Sequence, residues 1–135
     1  MTTILKEGLT KTARINVDAA RTISFMGDEG RVYATPELVR DIEHTCRDLL
    51  LEHVDEGQDS VGTHIEASHT AATPLGMWVD ITVTLNSLDG RAANFEVSAQ
   101  DQVEQICHGS HSRFIVDVAK TIERLRKKAD SVEAA

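Results

Sequence analysis

Through the second half of the chain, apolar residues return at every second position, the spacing of strands with one face against a core. In "MWVDITVTL" the inward set is Val79, Ile81, Val83 and Leu85; in "AANFEVSAQ" it is Ala93, Phe95, Val97 and Ala99. Between them "NSLDGRA" reads as a hairpin turn around Asp89 and Gly90. Upstream, "SVGTHIEASHT" alternates with Val61, Thr63, Ile65, Ala67 and His69 on one face, and Pro74 and Gly76 mark the turn that follows. Downstream, "VEQICHGSHSRFIVDV" reads as a longer strand, bulged near Gly109. Short turns between successive strands predict an antiparallel meander of these four.

The apolar spacing changes to three and four in "ATPELVRDIEHTCRDLLLEHVDEG", which predicts one strong helix. Thr35 is its N-cap, Pro36 its first helical position, Glu37 lies in its first turn, and Gly57 marks its exit. Val39, Ile42, Cys46, Leu49 and Leu50 form a stripe broad enough to lie against a sheet. A second helical stretch, "DVAKTIERLRKKADS", is thinner in apolar residues (Val118, Ile122, Leu125) and reads as a surface or tail helix. The first segment, with Ile15 and Val17, reads as an edge strand. Strand, central helix and four antiparallel strands together predict an α+β fold with the helix lying across a curved sheet.

Composition narrows the partners. The 135 residues suit a single domain, 1–135, with a core over about 10–120 and a helical tail at 121–135. The formal net charge of -8 argues against nonspecific binding to nucleic acid, which needs a basic surface. A polyanionic ligand would need a local basic patch. The densest is "RLRKK", with Arg124, Arg126, Lys127 and Lys128, which either holds phosphates or is a solvated helix end complementing the helix dipole. Arg91, by the hairpin, is a second candidate. No apolar run reaches the length of a membrane span, and the N-terminus lacks the apolar stretch and cleavage site of a signal peptide. Cys46 and Cys107 give no disulfide framework and read as small core residues, so a reducing cytoplasm is the expected location.

Three residues are candidates for chemistry. Glu43 interrupts the apolar stripe, one turn from Val39 and about one turn from Cys46. A carboxylate there is either buried, with a raised pKa suited to acid or base work, or a boundary residue whose tip reaches solvent. Thr35 either only caps its helix or offers its hydroxyl to a site. His69, on an inward strand face, is either a satisfied core histidine or a proton carrier. An inward carboxylate on a helix and an inward histidine on the adjoining strand could together form a hydrolytic site. A metal site built from His64, His69, His108 and His111 with Cys107 is the weaker reading. "CHGSH" is not a standard zinc spacing, and His108 and His111 point to opposite faces of a regular strand.

At this point the pattern meets a known family. "VGTHIEASHTAATPLGMWVDITVTLNSLDGR" strongly resembles the hot-dog-fold acyl-CoA thioesterases of the fluoroacetyl-CoA thioesterase type. There a glycine-containing strand runs into a histidine, then "HTAATP-G", then two strands joined by a turn. By this resemblance Thr35 of "YAT" falls on the catalytic threonine, Glu43 on the helix carboxylate and His69 on the histidine. Gly62 falls on the glycine whose backbone N–H lines the acyl site, and Arg113 of "GSHSRF" on the active-site arginine. The resemblance implies a hot-dog fold, a long helix wrapped by an antiparallel sheet. It further implies a homodimer paired through a continuous sheet, with active sites at the dimer interface.

The implied reaction is hydrolysis of an acyl-CoA to a carboxylic acid and CoA. CoA is then part of the substrate, and neither a cofactor nor a metal is called for. Glu43 would attack the carbonyl, making a mixed anhydride, or activate a water; His69 would move protons and help the sulfur leave. Thr35 would orient Glu43 or take part in acyl transfer, the Gly62 N–H would face the oxyanion, and Arg113 would orient a polar acyl group. The fluoroacetyl-specific enzyme carries a lid with phenylalanines just before this helix. Here the stretch is "SFMGDEGRVY", with Met26 and Glu29 at those positions, so fluoroacetyl specificity is not carried over. Two other readings stand beside hydrolysis: a noncatalytic acyl-CoA-binding dimer on the same fold, and hydration or dehydration of an enoyl thioester, which would want a different carboxylate–histidine layout.

Overall fold

The computed structural model describes residues 4–133. It opens on β1 (Thr10–Asn16), followed by a small hairpin of β2 (Thr22–Ile23) and β3 (Val32–Tyr33) that the apolar pattern does not announce. Next come the long helix α1 (Thr35–Leu51), the strands β4 (Gln58–His69), β5 (Trp78–Asp89), β6 (Ala92–Asp101) and β7 (Gln105–Asp117), and the closing helix α2 (Val118–Glu133). Five strands form one antiparallel sheet in the order β1-β5-β6-β7-β4. α1 packs across it. The result is the expected α+β hot-dog arrangement with an added C-terminal helix. Among the described residues no helix is long and apolar enough to cross a membrane.

The inward faces of the two central strands are those the alternation predicts. Val79, Ile81, Val83 and Leu85 are fully buried, and so are Ala93, Phe95, Val97 and Ala99; Ile81 pairs with Ala99, Val83 with Val97 and Leu85 with Phe95. On α1 the stripe is Leu38, Ile42, Cys46, Leu49 and Leu50; Leu38 takes the place assigned to Val39, which is only partly covered. Asp41 and Thr45 are also buried under the helix. A carboxylate is tolerated there because it is bonded on both oxygens. Arg21 donates to Asp41 Oδ2 at 2.9 Å and Oδ1 at 3.2 Å, and the Tyr33 hydroxyl donates to Oδ2. This cluster ties the β2–β3 hairpin to α1.

Two predicted features differ. Only β5, β6 and β7 form a meander; β4 pairs with β7 at the far edge, three places from β5. Alternation fixes which face a residue takes, not which strand lies beside it. Residues 70–77 cover the roughly 14 Å between these strands with ease. The bulge expected near Gly109 is also elsewhere. Gly109 is in register with both Val97 and Ala67, and it is a glycine because a Cβ would stand 1.9 Å from the Glu66 carbonyl oxygen. The shifts fall between Gly62 and His64 on β4, between Leu85 and Ser87 on β5, and at Ala99–Gln100 of β6 opposite β7.

The "HTAATP" segment leaves β4 and is pinned at three points. Thr70 N–H donates to Ile106 O, Tyr33 N–H donates to Thr73 O, and the fully buried Thr73 hydroxyl donates to Asp101 Oδ2, each at 2.8 Å. Asp101 Oδ1 accepts from the Val103 and Glu104 N–H groups. Burial pushes the Asp101 pKa up, but these three hydrogen bonds outweigh it and hold the carboxyl below its ordinary range. Asp101→Ala, which strands three donors, should lower unfolding free energy by about 2–3 kcal/mol at pH 7. Because the folded pKa is depressed, that contribution is present above about pH 4 and fades as pH falls through the folded value. Urea titrations of both proteins at pH 7 and pH 3 check the size and the sign.

Candidate active site

Chemistry-bearing side chains collect in two places between α1 and the β4 edge. The first joins the start of α1 to the end of β4. Thr35 is the first helical residue, not the cap; Ala34 holds the cap position without a side-chain bond. The Thr35 hydroxyl is instead hydrogen-bonded to His69 Nδ1 at 2.7 Å. The other ring nitrogen, Nε2, is buried with no partner among the described residues, a costly state for a polar atom. Both residues line a recess of about 230 Å³ with Ile23, Val32, Tyr33 and Ala71. Burial lowers the His69 pKa, the Ala71 backbone opposing in part, so the ring is neutral at pH 7. Thr35 and His69 are therefore neither a mere cap nor a satisfied core histidine.

The second cluster lies two turns along α1, about 12 Å from Thr35 by helical rise. Glu43, Ser60, Gly62 and Arg113 line a cavity of about 420 Å³ together with Val39 and Arg47. Glu43 is a boundary residue, its side chain 35% exposed. Its Oε1 lies 3.8 Å from an Arg113 terminal nitrogen and 3.9 Å from His111 Nε2, both beyond hydrogen-bonding reach. Gly62 sits opposite. A Cβ there would stand 2.7 Å from Glu43 Oε1, so a side chain would occupy the space the carboxylate uses.

Arg113 is buried and donates three hydrogen bonds: Nε to Ser60 Oγ at 2.7 Å, NH2 to the Ser60 carbonyl at 2.8 Å, and NH1 to His111 Nε2 at 3.1 Å. A guanidinium only donates, so His111 Nε2 must accept. Its proton is then on Nδ1, which donates to the His64 carbonyl at 2.7 Å. Burial lowers the His111 pKa, the His64 bond opposing and the Arg113 cation adding to the shift. His108, on the other face of β7, is exposed, so the histidines of the metal reading do not converge.

All five residues expected in the site thus face the α1 side of the sheet, but not as one constellation. Thr35 and His69 form one group, Glu43, Gly62 and Arg113 the other. Comparison with known proteins identifies the scaffold. The family described as fluoroacetyl-CoA-specific thioesterase matches residues 17–119. The fluoroacetyl-CoA thioesterase of Streptantibioticus cattleyicolor is 37% identical over 97 residues, 72% of this chain and 70% of that protein. The chain belongs to the fluoroacetyl-CoA-specific thioesterase family.

A solved fluoroacetyl-CoA thioesterase structure superposes with a TM-score of 0.84 at 31% identity, covering 92% of this chain and 97% of that one. A thioesterase superfamily member from Thermus thermophilus gives 0.87 at 26% identity, covering 96% and 97%. The protein is a thioesterase on the hot-dog scaffold, and hydrolysis of an acyl-CoA thioester is the chemistry its family performs. Sequence reasoning missed Ser60, and saw His111 only as a metal ligand. The available signal was the two-residue spacing of His111 and Arg113, which puts both on one strand face.

Two outcomes follow. Gly62→Ala should cost about tenfold or more in turnover with only a modest fall in melting temperature, because the atom met first is the mobile end of Glu43, while the buried His111 ring, 3.3 Å from the added Cβ, must give by a few tenths of an ångström. Thiol-release assays and thermal melts separate the two effects. Both His69 and His111 titrate below a free histidine. Below about pH 6.5 the unfolded chain therefore binds more protons than the folded one, and stability falls with pH until the folded values are passed. Urea midpoints at pH 7.5 and 5.5 should show that fall, and His111→Gln should remove part of it.

Proposed function

We propose that the protein hydrolyses an acyl-CoA thioester to a carboxylic acid and CoA, without specificity for fluoroacetyl-CoA, at sites completed by a second copy of the chain. The observation that carries this reading is Glu43: a carboxylate with no hydrogen bond among the described residues, beside the bare Cα of Gly62, in a cavity shared with the Arg113 cation. Such a group is free to act on the thioester carbonyl, either directly, expelling the CoA thiolate and leaving a mixed anhydride for water to cleave, or by taking a proton from water. The Gly62 N–H serves the developing oxyanion. His69, neutral and with no partner at Nε2 among the described residues, handles the proton that the departing sulfur needs, with Thr35 fixing the ring. Arg113 orients a polar acyl group.

Within one chain His69 and Glu43 belong to separate recesses, so the proposal needs a second copy. Among the described residues β4 is bonded only to β7, and none of them pairs with its other edge along the 12-residue strand. Val61, Ile65 and Phe114 are exposed apolar residues beside that edge. Antiparallel pairing of two β4 strands about a two-fold axis near Ile65 and Glu66 would lay His69 of one copy alongside Gly62 of the other. The reading against fluoroacetyl specificity is supported by the tip of the β2–β3 hairpin, where Phe25 and Met26 are 88% and 72% exposed, not packed over the His69 recess.

The test is free-thiol release from a panel of acyl-CoAs, from acetyl through long-chain and aryl. Wild type should turn over at least one member, with fluoroacetyl-CoA not favoured, and folded Glu43→Ala should lose about two orders of magnitude or more. Binding without turnover across the panel would replace hydrolysis with a noncatalytic acyl-CoA-binding role.

A further inference from the structure

Glu43 and Arg113 carry opposite charges, share one cavity and stop 3.8 Å apart. A contact pair between such groups closes to about 2.7–2.9 Å. Glu43 is a partly exposed, flexible side chain, so the restraint lies with its partner. Arg113 is held by Ser60 Oγ, by the Ser60 carbonyl and by His111 Nε2, and the last of these engages the same terminal nitrogen that stands nearest Glu43. His111 is held in turn by the His64 carbonyl. The other cations lining this cavity are also turned elsewhere: Arg47 makes two bonds to Asp59, at 2.9 and 2.7 Å, and Arg40 leans toward Glu37 at 4.0 Å. No cation in the cavity makes a hydrogen bond to Glu43.

We infer that Ser60 and His111 are positioning residues that, by engaging its donors, hold Arg113 short of hydrogen-bond contact with Glu43, so that the carboxylate oxygens stay free for a thioester or water. A guanidinium has five N–H donors; three are engaged by Ser60 and His111, which leaves two for the cavity. Its charge thus acts on the site without capping the carboxylate. A contact salt bridge would occupy the lone pairs that the reaction needs. The inference rests on the reading of Glu43 as the reacting carboxylate.

His111→Leu removes the acceptor for Arg113 while keeping the buried volume filled; His111→Gln restores a carbonyl acceptor. The expected result is a fall in kcat of about tenfold or more for the leucine variant, with KM within about twofold, and recovery of most of that loss by glutamine. A crystal structure of His111→Leu should find Arg113 closed onto Glu43 at hydrogen-bond distance. Ser60→Ala, which removes a different tie, should move kcat and the distance in the same direction, and it carries the test if the leucine variant does not fold. Wild-type kcat in folded His111→Leu, equal impairment by leucine and glutamine, or an Arg113 that stays back would overturn the inference. Glu43→Gln is the control: if it keeps full turnover, the reading of Glu43 fails and the inference falls with it. If it is dead while both tie-removing variants are indifferent, only the positioning role is lost.

Discussion

A strand shows the same face at every second residue, and Gly62 and His69 are seven residues apart. On a regular strand they would point to opposite sides of the sheet. The register shift between Gly62 and His64 supplies the extra residue that brings both onto the face covered by α1. Gly62 then pairs with Arg113, whose side chain is buried on the same side, and Ser60 falls in place to receive the guanidinium. Without the shift, Val61 would be aimed at Glu43 and Gly62 at solvent. Every feature of the candidate site on β4 depends on that single irregular step.

Around it, local rules of stability are broken where chemistry needs them broken. α1 begins without a side-chain cap, because alanine, Ala34, holds the cap position, and the Thr35 hydroxyl one residue on is bonded to His69. His69 keeps a buried nitrogen with no partner among the described residues. Arg113 is buried but stands off from the nearest carboxylate. The scaffold offsets these local costs with a continuous core of β5 and β6 side chains under α1, and with two buried carboxylates, Asp41 and Asp101, whose oxygens are well bonded. Asp41 and Asp101 hold the hairpin and the "HTAATP" segment, which are the two walls beside His69.

Much of this was legible in the sequence. The faces of β5 and β6 followed from strict alternation, and α1 from its three-and-four spacing with a proline at its start. Glu43 stood out as the polar residue inside an apolar stripe. What alternation could not carry was neighbour order, so β4 was read into a meander that stops at β5. Nor could it choose between two glycines for the bulge: Gly109 serves a close backbone approach, while the irregular step is at Gly62. Thr35 was ambiguous because threonine is equally a good cap and a good site hydroxyl. Ser60 and His111 were invisible as positioning groups because their roles arise only from contacts with Arg113, 53 and 2 residues away. The separation of His69 from Glu43 into two recesses is likewise a property of the folded chain.

That separation is the most exposed point of the account, and mixing two inactive variants tests it directly. Glu43→Ala and His69→Ala would each be purified, then unfolded and refolded together at equal amounts. If each site takes His69 from one copy and Glu43 from another, half of the pairs formed are mixed and each mixed pair holds one intact site. The account then predicts return of about a quarter of wild-type thioesterase activity, against near zero for either variant alone. If the mixture stays as inactive as its components while each variant refolds and pairs, the two clusters do not work across copies, and the composite site is contradicted.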